Sequence, residues 1–327
     1  MSHQSRYRNS GTIPSASGAA AAALRARAAA WEMPLAETPE ALSLFVWGCE
    51  LRLVPHRDDL RVELFAPERR LIGNLQDSAT DLFAEAGLTV RWDRVDVGAL
   101  APGLSLMRVV SVARRSPGFL RVRLTGPDAG RFGAEGLHFR LLLPPAGRAP
   151  VWPRVGATGR TEWPAGPDAL HRPVYTVAEQ RDDWLDFEIF CHPGSPTCDW
   201  ALADPVGAEL GIIGPGGGWC PEGDRLHLFG DETALPAIAR ILALTRGTAT
   251  AHLAASAEDL GDLARDPRVT RCGDLLAALA CAEPRPDSIV WFAAEADQAR
   301  AARKHLLARG LDRKAVITAG YWSRGGG

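Results

Sequence analysis

Five short segments of this chain carry residue types suited to anions and flat aromatic ligands. His171-Arg172-Pro173-Val174-Tyr175-Thr176-Val177 places a guanidinium, a phenol and a hydroxyl within five positions. The guanidinium suits a pyrophosphate. The ring suits the face of a flavin, and the hydroxyl can bond a ring nitrogen. On an ideal strand Arg172 and Tyr175 project from opposite faces, so a kink at Pro173 or a bulge must bring both to one ligand. A barrel strand with an exposed arginine and a packed tyrosine accounts for the same residues, and spacing alone favours it.

The second segment is His192-Pro193-Gly194-Ser195-Pro196-Thr197-Cys198-Asp199-Trp200-Ala201. A turn rich in Gly, Ser and Thr can present backbone N–H groups to a phosphate, and a helix start there adds its dipole. A turn followed by a core tryptophan is the simpler account. The third, Ile213-Gly214-Pro215-Gly216-Gly217-Gly218, is glycine-rich, but Trp219-Cys220-Pro221 follows in place of a helix. A dinucleotide fingerprint needs that helix, so this segment reads as a loop at a barrel end. The fourth, Gly230-Asp231-Glu232-Thr233-Ala234-Leu235-Pro236, follows a strand and opens a helix, with Pro236 in the first turn. Open amides there suit the pyrophosphate of a nicotinamide dinucleotide, and Asp231 and Thr233 also read as caps. The fifth, Ala319-Gly320-Tyr321-Trp322-Ser323-Arg324, sets two aromatic rings after a strand. They can cover a flavin face, or one of them can pack in the core.

Composition narrows the field. The 327 residues are 46% hydrophobic and 23% charged, enough for two or three cores. The net charge of -2 argues against a general phosphate-backbone binder. No apolar run approaches the roughly 20 residues of a membrane span, and Arg25 and Arg27 interrupt the N-terminal alanine run, so no signal peptide is read and a cytoplasmic protein is expected. Only Lys304 and Lys314 are lysines, so any anion site must rely on arginine. Cys49, Cys191, Cys198, Cys220, Cys272 and Cys281 form no CxxC pair, which argues against a structural zinc or iron–sulfur site.

The elements that must position these segments follow from hydrophobic periodicity. Residues 1–28 read as a disordered tail ending in an Ala-rich helical stub. Residues 29–98 read as a small α+β unit. Leu51–Val54 and Leu60–Leu64 form its hairpin, a helix runs from Asp77 or Ser78 to Gly87, and Leu88–Trp92 is a strand. Residues 99–222 read as an antiparallel barrel, with strands at Leu106–Val112, Leu120–Leu124, Leu137–Leu143, Val174–Ala178, Leu185–Cys191 and Glu209–Ile213. Residues 223–327 alternate strand and helix and read as an α/β parallel sheet. Its strands are Arg225–Phe229, Ala249–Ala254, Val269–Cys272, Ser288–Phe292 and Ala315–Ala319.

The order HRPVYTV, HPG…WA, GPGGG, GDETALPAI, VWFAAE and GYW resembles the siderophore-interacting protein family of ferric-siderophore reductases over roughly residues 100–325. Residues 30–97 look like a small domain of unknown function fused ahead of some members. The resemblance implies an FAD-binding barrel of ferredoxin-reductase type followed by an NAD(P)H-binding α/β domain. It implies that Arg172, Tyr175, Thr176 and Val177 bind FAD, with His192, Gly194, Trp200 and Ala201 as a second FAD segment. Gly230, Asp231, Glu232, Thr233 and Ala234 would serve the nucleotide, with Glu295 beside the nicotinamide and Tyr321-Trp322 as the C-terminal aromatic pair. The chain departs from the family at Ala178, where another arginine is common, and at Ala294, where glycine is common. It also lacks the usual tryptophan between Val269 and Leu275.

The activity so implied is NAD(P)H-dependent, FAD-mediated reduction of a ferric siderophore or other ferric chelate, with no catalytic side chain and no resident metal. The expected partners are the chelate and the dinucleotides, with neither nucleic acid nor membrane. Arg172, Arg240 and Arg324 are candidates for meeting the anionic chelate. A general flavin or ferric-chelate reductase and a non-enzymatic flavin or siderophore binder are the alternatives. Siderophore hydrolysis lacks its nucleophile elbow, since no G-x-S-x-G occurs.

Overall fold

The computed structural model describes residues 6–15, 17–133, 136–216, 218–285 and 287–324. The chain divides into two compact units, residues 1–104 with 149–169, and residues 105–148 with 170–327.

The first unit is a six-stranded sheet with two helices. Its elements are β1 (Tyr7–Ile13), α1 (Ser17–Ala30), β2 (Leu35–Glu37), β3 (Leu42–Val46), β4 (Cys49–His56), β5 (Asp59–Ala66), α2 (Arg69–Glu85) and β6 (Arg91–Trp92), in sheet order β2-β3-β4-β5-β1-β6. The expected hairpin is β4–β5. The expected tail is corrected, because its described residues from Tyr7 onward are built into the fold. β1 pairs along its whole length with β5, from Tyr7 opposite Ala66 to Ile13 opposite Leu60, and then with β6. Gly11 permits the close approach, since a Cβ there would stand 2.8 Å from Val90. Ala20, Leu24 and Ala28, spaced by four, bury one side of α1. Residues 1–5 of the expected tail lie outside the described residues. Helix α2 starts at Arg69, eight residues before the expected cap. Asp77 instead accepts a 2.6 Å bond from the Thr161 amide.

The second unit opens with β7 (Leu104–Ser116), β8 (Phe119–Thr125) and β9 (His138–Leu142). A small hairpin, β10 (Arg154–Val155) and β11 (Thr161–Glu162), then interrupts the chain and belongs to the first unit. It was expected within the barrel, but its bonds run to residues 98–101, with Gly98 donating to Val155 and Ala101 to Pro153. The barrel resumes with β12 (Val174–Gln180), β13 (Trp184–Phe190), the short helix α3 (Pro196–Leu202) and β14 (Glu209–Gly216), and closes in the order β12-β13-β8-β7-β14-β9. All six expected barrel strands are present. Ile213–Gly216 was expected as a loop but extends β14. Gly216 reaches His138 across a register shift, and a Cβ on Gly136 would stand 2.8 Å from the Gly216 nitrogen. Gly217 lies outside the described residues.

The parallel sheet follows in the same unit. It comprises β15 (Arg225–Asp231), α4 (Leu235–Leu244), β16 (Thr248–Ala254), α5 (Ala257–Leu260), β17 (Val269–Arg271), α6 (Leu275–Cys281), β18 (Ile289–Glu295), α7 (Ala296–Ala308) and β19 (Val316–Trp322), in the order β17-β16-β15-β18-β19. The strand order reverses between β15 and β18, and such a switch point opens a crevice at the carboxyl ends of the strands.

Asp259 and Arg240 are among the polar ties between barrel and parallel sheet. Asp259 of α5 accepts from the Ser116 hydroxyl at 2.6 Å and the Gly118 amide at 2.9 Å. Arg240 of α4 reaches into the barrel and donates to the carbonyls of Phe132, Gly133, Leu137 and Val177 at 3.0–3.4 Å. Arg240 was a candidate for binding the chelate, and this is corrected, because its donors are already directed at the backbone. Burial lowers its pKa. Removing the donors strands several buried acceptors. Arg240→Leu is therefore expected to cost about 3 kcal/mol, read as a lower denaturant midpoint. An unchanged midpoint contradicts this role.

Candidate functional site

Strand β12 carries the first motif. Arg172 lies exposed just before it, and its carbonyl accepts a 2.8 Å bond from Arg140 of β9. The register sets Val174 opposite Arg140, Tyr175 opposite Phe139 and Thr176 opposite His138. Tyr175 points toward the barrel core, 5.0 Å from the Phe187 ring, and burial pushes its phenol up to about 12 despite the neighbouring Thr197 hydroxyl. Thr176 and Val177, the next two residues of the strand, are both buried. The bulge that the motif required falls after Arg172 and Tyr175, between Val177 and Glu179, and Ala178 sits in it.

The second motif packs on the first. Ser195 caps α3 by accepting from the Cys198 amide at 3.3 Å, and Gly194 takes the positive φ of +77° that the turn requires. Thr197 is buried and lies 3.0 Å from the His171 Nε2. Ala201 is buried, Trp200 half-buried, and His192 exposed beside the Phe190 ring.

The remaining motifs meet at the carboxyl ends of β15, β18 and β19. Asp231 caps the start of the α4 segment. Its Oδ1 accepts from the Thr233 amide at 3.0 Å and the Thr233 hydroxyl at 2.6 Å, and its Oδ2 accepts from the Trp322 indole at 2.7 Å. Gly230 is needed for packing, because a Cβ there would stand 2.6 Å from that of Ala234. Burial raises the Glu232 pKa. Glu295 caps α7, accepting from Asp297 at 2.8 Å and Gln298 at 3.3 Å, and its other oxygen accepts from the Arg324 amide. The aromatic pair divides its roles. Tyr321 packs against Trp291, while Trp322 is 41% exposed.

His138 joins the two halves of this site and was missed in the sequence. Its Nδ1 lies 2.9 Å from the Thr176 hydroxyl and its Nε2 3.1 Å from the Tyr321 hydroxyl. A neutral imidazole has one donor and one acceptor, so one hydroxyl receives from it and the other donates to it. Burial, with Arg240 nearby, lowers its pKa to about 4. His138 stands inside an apolar strand run, and its partners are 38 and 183 residues away, so no local pattern marks it. Among the described residues no cluster of His, Cys, Asp or Glu is arranged to hold a metal.

Comparison with known proteins falls on the same segments. Residues 108–219 match the model of the siderophore-interacting FAD-binding domain, and residues 223–325 that of the siderophore-interacting protein. The ferric vibriobactin reductase ViuB of Vibrio cholerae is 31% identical over 160 residues, 45% of this chain. That match spans only 56% of the ViuB length. The NADPH-dependent ferric-chelate reductase of Escherichia coli is 26% identical over 66% of this chain and 91% of its own. The crystal structure of a siderophore utilization protein from T. fusca superposes with a TM-score of 0.59 at 28% identity, covering 72% of this chain and 97% of that one.

The His138 bridge predicts a pH dependence. Its folded pKa lies below the ordinary value near 6.5, so its contribution is complete above about pH 6.5 and is lost as pH falls toward 4. The loss amounts to about 3 kcal/mol. Subtracting the stability curve of His138→Gln from that of the wild type isolates this contribution from the other histidines. A flat difference between pH 4 and 7 contradicts the assignment.

Proposed function

The chain belongs to the siderophore-interacting protein family, and we propose that it uses NAD(P)H and FAD to reduce ferric siderophores, releasing ferrous iron in the cytoplasm. The observation that carries this reading is that His138 links Thr176 of the β12 motif to Tyr321 of the C-terminal aromatic pair, while its neighbour Trp322 bonds Asp231 at the end of β15.

The donor set fits a flavin dinucleotide. Arg140, exposed on β9, and Arg172, exposed just before the paired strand β12, are joined by the bond from the Arg140 guanidinium to the Arg172 carbonyl, and two such guanidiniums suit a pyrophosphate. Arg140 would thereby supply the second cation that Ala178 does not. The Tyr175 ring is held at a fixed tilt by Phe187 and suits one edge of the flat ring system. Thr197, between Tyr175 and His171, fixes α3 against β12, and Gly194 keeps the intervening turn tight. On the nucleotide side, the cap at Asp231 and the Gly230 packing hold the helix start where a dinucleotide pyrophosphate would lie.

Bound FAD would supply the conversion from a two-electron hydride donor to one-electron ferric acceptors. The protein's own part is orientation and access. Trp322, anchored through its indole N–H to Asp231 but 41% exposed, would shield a flavin bound there and would give way to an incoming nicotinamide. Glu295 is held by two helix amides and the Arg324 amide, so it stands as a fixed acceptor at the end of β18. No side chain has to move a proton to the iron complex. Ferric iron is a hard ion that oxygen ligands hold more tightly than ferrous iron, so reduction itself loosens the chelate.

The reading is tested anaerobically with the full chain, FAD, NADPH, a ferric siderophore and a ferrous trap. Trapped iron well above the free-FAD background is expected, and a rate equal to that background refutes it. Running ferric citrate alongside separates siderophore preference from general chelate reduction. Arg172→Ala is expected to weaken FAD binding at least tenfold by equilibrium titration, while leaving the folded secondary structure intact. Unchanged affinity removes Arg172 from the pyrophosphate site.

A further inference from the structure

We propose that the first unit carries a separate binding site for small organic anions, a carboxylate or phosphate attached to an apolar body. The site is a cavity of about 320 Å³ between β1, the start of α2, the segment after β6 and the β10–β11 hairpin. All of its lining residues belong to the first unit, and the inference does not rest on the reductase reading.

Charge identifies the ligand class. Arg8, Arg69, Arg70 and Arg94 line the cavity against a single carboxylate, Asp96. Asp96 is shared between Arg69 at 3.2 Å and Arg94 at 3.4 Å, and all three side chains are about half or more exposed. Such exposed pairs hold little energy and are readily exchanged for a better anion. Arg70 pairs with Glu68, outside the lining. Arg8 makes no ion pair among the described residues. The cavity therefore has an excess of cations, in a protein whose overall charge is only -2.

The start of α2 breaks the usual rules for a helix in the same place. Its cap residue, Glu68, makes no side-chain bond to the helix amides, and its carboxylate accepts instead from the Arg70 side chain. The first turn holds no acid and begins with two arginines, adding positive charge to the positive end of the dipole. A bound anion resolves the conflict at the cap and the arginines together. Local rules broken without structural gain are a mark of functional sites.

The rest of the lining is shaped for a body larger than a bare ion. Ile72, Leu100 and Pro102 give an apolar wall. Gly73 and Gly159 hold the walls close, since a Cβ would stand 2.9 Å from Pro102 and 2.6 Å from Gln76 respectively. Gln76 is fixed by Asn9, which donates to its oxygen at 2.8 Å, so the floor is preorganised.

The test is calorimetric titration of the full, FAD-saturated chain with phenyl phosphate, benzoate and inorganic phosphate in low salt. Saturable binding of phenyl phosphate or benzoate is expected, at least tenfold tighter than inorganic phosphate. Which of the two binds more tightly assigns the head group as phosphate or carboxylate. Arg69→Glu should abolish binding and, by restoring an acid to the first turn, should not lower the melting temperature. If that variant misfolds, Arg8→Ala, at an exposed residue without an ion pair, is expected to weaken binding at least fivefold. Absence of saturable binding by both organic anions overturns the proposal, as does undiminished binding in the folded variant.

Discussion

The second unit depends on burying one imidazole in its neutral form. His138 occupies the point where strand β9, strand β12 and the last strand of the parallel sheet come together. Charging it there would mean placing a cation near the Arg240 guanidinium without a carboxylate partner on the ring, and its lowered pKa reflects that cost. Held neutral, it passes hydrogen-bond polarity from Thr176 to Tyr321 and so ties the flavin-type motif to the nucleotide-type strand ends. Arg240 supports the same junction by satisfying carbonyls just before β9 and within β12.

This arrangement explains how the protein spends its arginines. Arg123 binds the buried Asp186 through two bonds at 2.8 and 2.9 Å, and Arg115 and Arg121 share Glu188, all on the barrel. Charged pairs with one buried partner favour a single geometry more than they add net stability. With lysine almost absent, arginine must also supply the cations for ligands. Arg140 and Arg172 stand beside each other on and before the paired strands β9 and β12, and Arg8 and Arg94 line the cavity of the first unit.

Much of this was legible in the sequence because local pattern carried it. The barrel strands alternate, the βα units repeat, and a helix opens after Asp231 with Pro236 in its first turn as the fourth segment indicates. The motif around Tyr175 and the aromatic pair at Tyr321 announced themselves by residue type. What could not be read depends on long-range partners. β1 has too little apolar content to mark it as a strand, yet pairing on both sides satisfies its backbone. His138 lies in an apolar run where nothing nearby distinguishes it. Arg240 has the spacing of a surface residue on a helix, and only the barrel packed above it turns it inward. The start of α2 was misplaced because its cap lacks the usual side-chain bond.

The central claim is that the second unit holds FAD where NAD(P)H can reduce it and a ferric siderophore can reoxidise it. The most direct measurement is anaerobic stopped-flow absorption of the FAD-loaded chain. The account predicts that NADPH or NADH bleaches the bound flavin, and that a ferric siderophore then restores its colour faster than it does for free reduced flavin. A bound flavin that neither nicotinamide bleaches, or that the siderophore reoxidises no faster than free flavin, would contradict it.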